Sequence, residues 1–261
     1  MEFEIQSEKV KFFVKTGIVV LTLLVIIGLG IKYIPKVVTV TKSANAKELP
    51  IYSVSTNEAK VTLTFDTAWG NEDISDTLAI LDKYSVKATF FMTGDWVSTY
   101  PDDVKAIAKA GHDLGNHSES HKHMSQLTKD QSMEEIKKVH NRILELTGIE
   151  MSLFRPPYGD FSNDLIDATR ELDYYCIQWD VDSKDWKDYS AKSIIDNVLM
   201  NENLDNGSII LMHNGSKYTT EALEAVIIGL KDKGYNIVPI SKLIHKGDYY
   251  IGLDGTQYKK N

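Results

Sequence analysis

Short apolar runs alternate with amphipathic stretches of helix length along most of the chain after residue 60. The seven runs are Val61–Phe65, Ala88–Met92, Asp113–Gly115, Ser152–Phe154, Tyr174–Gln178, Ile209–Met212 and Ile237–Val238. Runs of this length favour buried strands, and strands that alternate with helices are typical of parallel βαβ units. The pattern therefore predicts an α/β domain with about seven parallel strands over residues 57–245.

Ionisable side chains suited to catalysis or metal binding follow five of these runs. They are Asp66, His117 with His121, Arg155, the cluster from Asp180 to Asp185, and His213. In a barrel of βαβ units the functional groups gather at the rim where the strands end, so we expect these side chains to meet. Imidazoles, carboxylates and one guanidinium together are the functional groups expected in the active site of a metal-assisted hydrolase.

The N-terminal segment differs in composition from the rest of the chain. The sixteen residues from Thr16 to Ile31 carry no charge, and Lys15 and Lys32 flank them. This is close to the ~20 residues of a membrane-spanning helix, and lysine stems can lengthen the span. A cleaved signal peptide is the alternative, but its apolar core is usually ~7–15 residues long with the cleavage site close behind. We predict a retained transmembrane anchor over residues 16–34.

The predicted organisation has five parts. They are a short N-terminal tail (1–15), the transmembrane anchor (16–34), a polar linker (35–56), the α/β domain (57–245) and a peripheral C-terminal tail (246–261). The lysines on the two sides of the anchor do not decide its orientation by the positive-inside rule.

Charge and cysteine content restrict the partners. The net charge is −8 and lysine and arginine form no block, which argues against nucleic acid as a partner. Cys176 is the only cysteine, so no intramolecular disulfide forms. Because it lies in an apolar run, a buried inert thiol is favoured over a nucleophile. The oligomeric state is left unknown by the sequence.

His117 and His121 have a spacing that places two rings on one face of a helix, close enough to share a cation. Two surface or capping histidines are the alternative. The position of the pair after the short strand Asp113–Gly115 favours the metal site. It is not the zincin arrangement, because Glu119 lies midway between the histidines.

Asp66 and His213 each end an apolar strand. Asp66 is a candidate metal ligand, general base or helix cap, and His213 suits proton transfer near neutral pH. Arg155 opens a stiff Arg-Pro-Pro-Tyr loop, where its guanidinium is expected to orient a carboxylate through two parallel hydrogen bonds. Trp179 and Trp186 flank three carboxylates, a rim suited to a sugar.

Five motifs, in this order, resemble those of the polysaccharide deacetylases, carbohydrate esterase family 4 or the NodB-homology domain. They are Thr64-Phe-Asp66, His117-Ser-Glu-Ser-His121, Arg155-Pro-Pro-Tyr158, Asp182-Ser-Lys-Asp185-Trp186 and Leu211-Met-His213. The resemblance covers roughly residues 60–245. It implies a deformed (β/α) barrel, a divalent metal that is usually zinc, and hydrolysis of the N-acetyl group of a β-linked amino sugar.

The resemblance also implies a role for each matching residue. The implied catalytic residues are Asp66 as general base, Arg155 as its orienting partner, His213 as general acid and Asp185 as the partner of His213. The implied metal ligands are His117 and His121. The implied substrate-binding residues are Tyr158 through its backbone N–H at the oxyanion, with Trp186 and Leu211 at the acetyl pocket.

One position departs from the family's pattern. The first motif of the family commonly reads Thr-Phe-Asp-Asp, and its second Asp is the third protein ligand of the metal. Thr67 stands at that position here, and a threonine hydroxyl is a poor zinc ligand. We expect a weakened site that keeps two imidazoles, with water or another side chain filling the gap. Some similar branches that act on spore or vegetative cell walls also vary here, so the change does not imply an inactive enzyme.

These observations predict a membrane-anchored, metal-dependent N-deacetylase of a cell-wall polysaccharide, with peptidoglycan favoured and acetate released. The expected location is the cell membrane, with a single pass and the catalytic domain extracellular. A non-catalytic glycan-binding or wall-associated scaffold module of the same fold is the alternative, and a hydrolase of another amide or ester is a third. Asp66, Arg155, Asp185 and His213 are all retained, which favours catalysis because a binding module needs no acid and base.

Overall fold

The computed structural model describes residues 48–260. Within that range no helix combines the length and the apolar character that a bilayer crossing requires. The anchor expected over residues 16–34 lies outside the described residues, together with the tail 1–15 and most of the linker.

The strands of the described region form two sheets. They are β1 (Ser53–Val54), β2 (Lys60–Thr67), β3 (Thr89–Met92), β4 (Asp113–Asn116), β5 (Leu153–Phe154), β6 (Tyr175–Cys176), β7 (Val181–Asp182), β8 (Ile209–His213), β9 (Asn236–Ile237), β10 (Tyr249–Ile251) and β11 (Thr256–Lys259). The main sheet is parallel, with the order β6-β5-β4-β3-β2-β8-β7, and β9 pairs with the first residues of β2. No ladder joins β6 to β7 among residues 48–260, so the sheet is a curled, open half-barrel. This confirms the predicted α/β class and deformed barrel.

Within residues 48–260, seven α-helices lie between strands of the main sheet. They are α1 (Ile74–Lys83), α2 (Gly94–Thr99), α3 (Pro101–Lys109), α4 (Lys129–Thr147), α5 (Asn163–Glu171), α6 (Ala191–Leu199) and α7 (Thr219–Asp232). Helix α4 begins at a capping box formed by Thr128 and Gln131 and ends at Gly148, whose φ of 72° is left-handed. Such caps satisfy orphan backbone groups and each stabilise a helix by ~1 kcal/mol. They fix the length of the helix that lies behind the predicted histidine pair.

The two faces of β2 serve different purposes. Leu63 and Phe65 belong to the larger hydrophobic core, and Phe65 stacks on Phe90 of β3 with ring centroids 5.0 Å apart. Because side chains alternate along a strand, Thr64 and Asp66 lie on the opposite face. That face also carries Phe91, which belongs to a second core cluster. The alternation places the carboxylate of Asp66 on the side of the sheet where the functional groups gather.

The folded domain extends beyond residues 57–245 at both ends. Residues 246–261, expected as a peripheral tail, contain β10 and β11, and β11 pairs in parallel with β1 from the expected linker. Gln257 of β11 is fully buried, and its side chain bonds to the backbone N and O of His245. The polar composition of these short strands concealed them in the sequence, and β1, which pairs with β11, is distant along the chain.

Candidate active site

Four strand ends bring the predicted residues together. Asp66 in β2 is the register partner of His213 in β8. His117 directly follows β4, and Arg155 directly follows β5. These side chains are distant in sequence and meet at the carboxyl edge of the sheet, as the parallel arrangement predicts.

Arg155 lies beneath Asp66 and is completely buried. Its Nη1 donates hydrogen bonds to Asp66 Oδ1 at 2.7 Å and to Thr64 Oγ1 at 2.8 Å, while Nη2 donates to the carbonyl of Gln178 at 3.0 Å. The guanidinium carbon is 4.2 Å from the ring centroid of Phe91. Arg155 therefore orients Asp66 as predicted, but through one hydrogen bond and not two parallel ones, because Nη2 is committed to a backbone carbonyl.

The carboxylate of Asp66 is only 5% exposed and still ionised at neutral pH. Burial alone would raise the pKa of Asp66, but the charges of Arg155, His117 and His213 and the hydrogen bond from Arg155 outweigh burial and lower that pKa. Its second oxygen, Oδ2, lies 3.5 Å from Nε2 of His117. Asp66 thus offers one oxygen held by Arg155 and another that faces the histidines.

His117 and His121 do come together, with ring centroids 5.1 Å apart. The expected helical turn is wrong: the segment is a loop in which Ser118 and His121 adopt left-handed φ values of 66° and 51°. Nδ1 of His117 lies 2.8 Å from the carbonyl of Arg155 and must donate, because a carbonyl only accepts, so Nε2 is left free. Nδ1 of His121 is hydrogen-bonded to the hydroxyl of Tyr158 at 3.0 Å.

Both imidazoles are in the neutral form at pH 7. Burial lowers the pKa of His117, and burial together with the charge of His117 lowers the pKa of His121 to about 4. Neutral imidazoles with Nδ1 held by an oxygen partner are the form that binds a metal through Nε2. The pair therefore fits two ligands of a cation.

Thr67 does not supply a third ligand. Its hydroxyl is buried and donates to the carbonyl of Phe65 at 3.2 Å. Between residues 48 and 260, no group of three or more His, Cys, Asp or Glu side chains is placed to hold a metal ion. A cation bound by His117 and His121 would complete its shell with solvent.

The loop that carries the two histidines is held by acidic residues that the sequence did not single out. Glu119 receives two hydrogen bonds from Arg142 of α4, both at 2.9 Å, and Arg142 also donates to the carbonyl of Gly94 at 3.0 Å. A Cβ at Gly94 would lie 1.9 Å from Glu119 Oε2, so only glycine leaves room for this pair. On the next residue, Ser120 N donates to Glu135 at 2.9 Å. These contacts fix the strained histidine loop on α2 and α4.

His213 and Asp185 form a histidine–carboxylate pair, the contact that the sequence predicts for them. Asp185 Oδ1 accepts a 2.7 Å hydrogen bond from Nδ1 of His213, while Oδ2 accepts from the backbone N of His213 at 2.7 Å and from Thr219 Oγ1 at 2.8 Å. Burial would lower the pKa of His213, but the hydrogen bond and the charge of Asp185 outweigh it and raise that pKa. His213 can therefore hold a proton on Nε2 near neutral pH.

The other two carboxylates of the 180–185 cluster make no hydrogen bond to the residues described above within the range 48–260. Asp180 precedes β7, and its carboxylate accepts hydrogen bonds from Ile209 N at 2.7 Å and Ser208 Oγ at 2.9 Å. Burial raises the pKa of Asp180 to about 7. Asp182 Oδ1 accepts a local bond from Lys184 N at 2.8 Å. Of the three predicted rim carboxylates, Asp180 is held by β8, Asp182 by a local turn, and Asp185 alone is hydrogen-bonded to His213.

The predicted substrate-binding residues lie around the histidines. Tyr158 has a left-handed φ of 62°, a conformation that costs a non-glycine residue of order 1–3 kcal/mol. Its side chain is 59% exposed, and that of Trp186 is 55% exposed. The amide of Trp186 donates to Asp185 Oδ1 at 2.9 Å. Leu211 is buried in β8, two residues before His213 and in register with Thr64.

Asn214 ties the end of β8 to the loop after β2. Its Oδ1 accepts from the amide of Ala68 at 3.2 Å, and its Nδ2 donates to the carbonyls of Trp69 at 2.5 Å and Gly70 at 3.0 Å. The indole of Trp69 then lies against His121, with ring centroids 5.3 Å apart. Neither Asn214 nor Trp69 was singled out from the sequence, and their only signal is adjacency to His213 and Asp66.

Comparison with known protein families gives a direct match. A family model described as polysaccharide deacetylase matches residues 53–177. A peptidoglycan-N-acetylglucosamine deacetylase of Bacillus cereus is 36% identical over 72% of this chain and 69% of its own length. The peptidoglycan-N-acetylmuramic acid deacetylase PdaA of Bacillus subtilis is 34% identical over 74% of each. The uncharacterised protein YlxY of Bacillus subtilis is 38% identical over 75% of this chain, which spans 60% of the length of YlxY.

Solved structures give the same architecture. A CE4 family pseudoenzyme from Bacillus anthracis superposes with a TM-score of 0.71 and 36% identity, covering 74% of this chain and 68% of that one. A mutant of it with restored enzymatic activity has a TM-score of 0.71 and 37% identity, covering 74% and 70%. PdaA of Bacillus subtilis, a family 4 carbohydrate esterase, has a TM-score of 0.69 and 32% identity, covering 74% and 84%. The similar structures thus include both esterases and a pseudoenzyme.

Proposed function

Since this chain belongs to the polysaccharide deacetylase family, we propose that it hydrolyses the N-acetyl group of amino sugars in a cell-wall polysaccharide, peptidoglycan first of all, and releases acetate. One observation carries the proposal. Asp66 and His213 are neighbours on adjacent strands, and each has its own buried orienting partner, Arg155 for Asp66 and Asp185 for His213. A site that only bound glycan would have no use for two separately oriented proton-transfer groups.

The reaction requires one proton to leave water and one to reach the departing amine. Asp66 is ionised and its Oδ2 is not held by Arg155, so this oxygen accepts the proton of the attacking water. The water oxygen bonds to the acetyl carbon and the C–N bond breaks. His213, protonated on Nε2 because Nδ1 is held by Asp185, donates to the nitrogen. The products are acetate and a free amino sugar.

Negative charge develops on the acetyl oxygen as the water adds. We assign the backbone N–H of Tyr158 to this oxygen, as the family resemblance implies. The hydrogen bond between the Tyr158 hydroxyl and Nδ1 of His121 ties this loop to the histidine pair. A preorganised donor of this kind is typically worth ~10²–10³ in turnover.

We propose that a divalent cation, zinc by resemblance to the family, is held by His117 and His121 with solvent. When bound, such an ion would polarise the acetyl carbonyl and lower the pKa of water. The neutral, oriented imidazoles favour binding, and Thr67 in place of a carboxylate weakens it.

The proposed substrate is based on the similar proteins, and the proposed location is based on the anchor predicted over residues 16–34. The similar proteins are named for deacetylation of N-acetylglucosamine or N-acetylmuramic acid in peptidoglycan. We therefore propose peptidoglycan as the substrate class of this chain. We further propose that residues 16–34 hold the protein in the cell membrane with residues 57–245 outside, where the wall lies.

Acetate release tests the proposal. Full-length protein would be incubated with purified peptidoglycan, with and without added zinc or cobalt, and the released muropeptides would be analysed by mass. We expect acetate from the wild type and muropeptides that lack one acetyl group. The same protein with Asp66→Asn and His213→Ala together is the control and should release none.

The second candidate function is a non-catalytic glycan-binding or wall-associated module. Thr67 at a ligand position favours it, as does the similarity to the pseudoenzyme of Bacillus anthracis. Wild-type protein that binds peptidoglycan but releases no acetate with any divalent metal would decide for this function.

A further inference from the structure

Trp69 occupies an unusual position for a tryptophan. It follows β2, three residues after Asp66, and 55% of its surface is exposed, whereas Trp96 in the core is 2% exposed. Its ring centroid lies 5.3 Å from that of His121 and 6.4 Å from that of His213. The indole therefore lies between the candidate metal-binding histidine and the candidate general acid.

The loop that carries Trp69 is rigidly held through its backbone. Besides the bonds from Asn214, the indole N–H of Trp96 donates to the carbonyl of Gly70 at 2.6 Å. Gly215 has a left-handed φ of 72°, and a Cβ there would lie 2.8 Å from the carbonyl oxygen of Trp69. The loop and the segment after His213 are thus packed closely against each other, which fixes the backbone position of Trp69.

The side chain of Trp69 contributes little to the fold for its size. More than half of it is in water, and its indole N–H makes no hydrogen bond to any residue in the range 48–260. All the bonds that hold the loop use backbone atoms of Trp69 and Gly70 or side chains of other residues. An exposed, rigid, amphipathic ring beside two functional histidines has the properties of a ligand-binding surface.

We propose that Trp69 is a substrate-binding residue whose indole stacks on the pyranose ring of the amino sugar that carries the reacting acetyl group. The apolar C–H face of a pyranose fits an aromatic surface, and the free N–H can donate to a sugar hydroxyl. Because the backbone that carries the indole is already held, stacking does not require the loop to be ordered, which limits the conformational entropy cost. Trp69, Tyr158 and Trp186, all more than half exposed, would then surround the Asp66–His213 pair.

This inference rests on the proposed function only for the identity of the sugar.

The test compares Trp69→Leu, which keeps an apolar side chain without the aromatic face, with Trp69→Phe, which keeps an aromatic face. Tyr250→Ala is the control, because Tyr250 is 51% exposed and lies on the small sheet. Binding of a β-1,4-linked N-acetylglucosamine oligomer would be measured by calorimetry, and KM and kcat for the same oligomer by acetate release, with zinc present.

We expect Trp69→Leu to raise Kd and KM about tenfold, which corresponds to about 1.4 kcal/mol, and Trp69→Phe to recover most of the loss. Tyr250→Ala should match the wild type. Equal Kd for Trp69→Leu and wild type, or equal losses for the Leu and Phe variants, would overturn the inference. Wild-type protein that does not bind the oligomer would overturn it too. Binding that depends on Trp69 in a protein that releases no acetate would support the inference and refute the proposed activity.

Discussion

Replacing Asp66 is expected to destabilise the fold as well as to stop proton transfer. Arg155 is fully buried, and its other hydrogen-bond acceptors, the hydroxyl of Thr64 and the carbonyl of Gln178, carry no charge. Removing one partner of a buried ion pair costs about 3–5 kcal/mol, because it leaves an uncompensated charge. Asp66→Ala should lose about this much, which is a large part of the 5–15 kcal/mol that usually separates folded from unfolded protein. Asp66→Asn should lose less, since its amide oxygen still accepts from Arg155.

The loss should depend on pH in a defined direction. The pKa of Asp66 is lower in the folded protein than in the unfolded chain, where it is about 3.9. A carboxylate with a depressed folded pKa contributes its full stability above the unfolded pKa and loses it as pH falls through the folded value. The difference between wild type and Asp66→Asn should therefore be constant from about pH 5 to 8 and shrink below about pH 4.

Urea unfolding followed by tryptophan fluorescence measures this difference at each pH. The matched control is Glu224→Gln, which breaks the 2.6 Å ion pair with Lys83 on the exposed surface and should leave the midpoint almost unchanged. Asp66→Ala with the stability of the wild type would refute the buried-pair argument. In acetate release, Asp66→Asn that remains folded should be slower by about 10²–10⁴, and a rate near wild type would refute its role as base.

Four further predictions concern Asp185, His213, the metal and the anchor. Asp185→Asn should lower the pKa of His213 and move the basic limb of the pH–rate profile to lower pH, because the general acid is then lost earlier; an unmoved limb would assign that limb to another group. His213→Ala should cut turnover by about 10²–10⁴ with the fold intact. Thr67→Asp should tighten zinc binding in calorimetry and Thr67→Asn should not; an unchanged affinity for Thr67→Asp would contradict the ligand assignment. Full-length protein should stay with membranes through a carbonate wash, and a soluble form beginning near residue 47 would contradict the anchor at 16–34.

The strand positions and the identity of the meeting residues were predictable from the sequence. Parallel strands are buried on both faces, so their sequences are short continuous runs of apolar residues. Each of the seven predicted runs overlaps a strand of the main sheet. The rule that functional groups lie at the carboxyl ends then brings Asp66, His117, Arg155 and His213 together.

The conformations between the strands were not predictable in the same way. Periodicity suggested a helical turn at His117 and His121, but two non-glycine residues with left-handed backbone form a loop, and no pattern in the sequence marks them. The burial of Asp66 was not predictable either, because an aspartate at the end of a strand can equally well face solvent. The buried carboxylate is paired with Arg155, which follows β5 and is distant from Asp66 in sequence.

Asp66 and His213 become neighbours only when β8 pairs with β2, and β8 is the later of the two strands to be synthesised. Contacts between distant segments form slowly, because a long loop must close before they are made, whereas helices form within about a microsecond. On refolding, activity should return after the far-UV helical signal, and simultaneous recovery would contradict this order. During synthesis, a chain that has not yet reached residues 209–213 holds the proposed base without the proposed acid, so it stays inert until β8 joins β2.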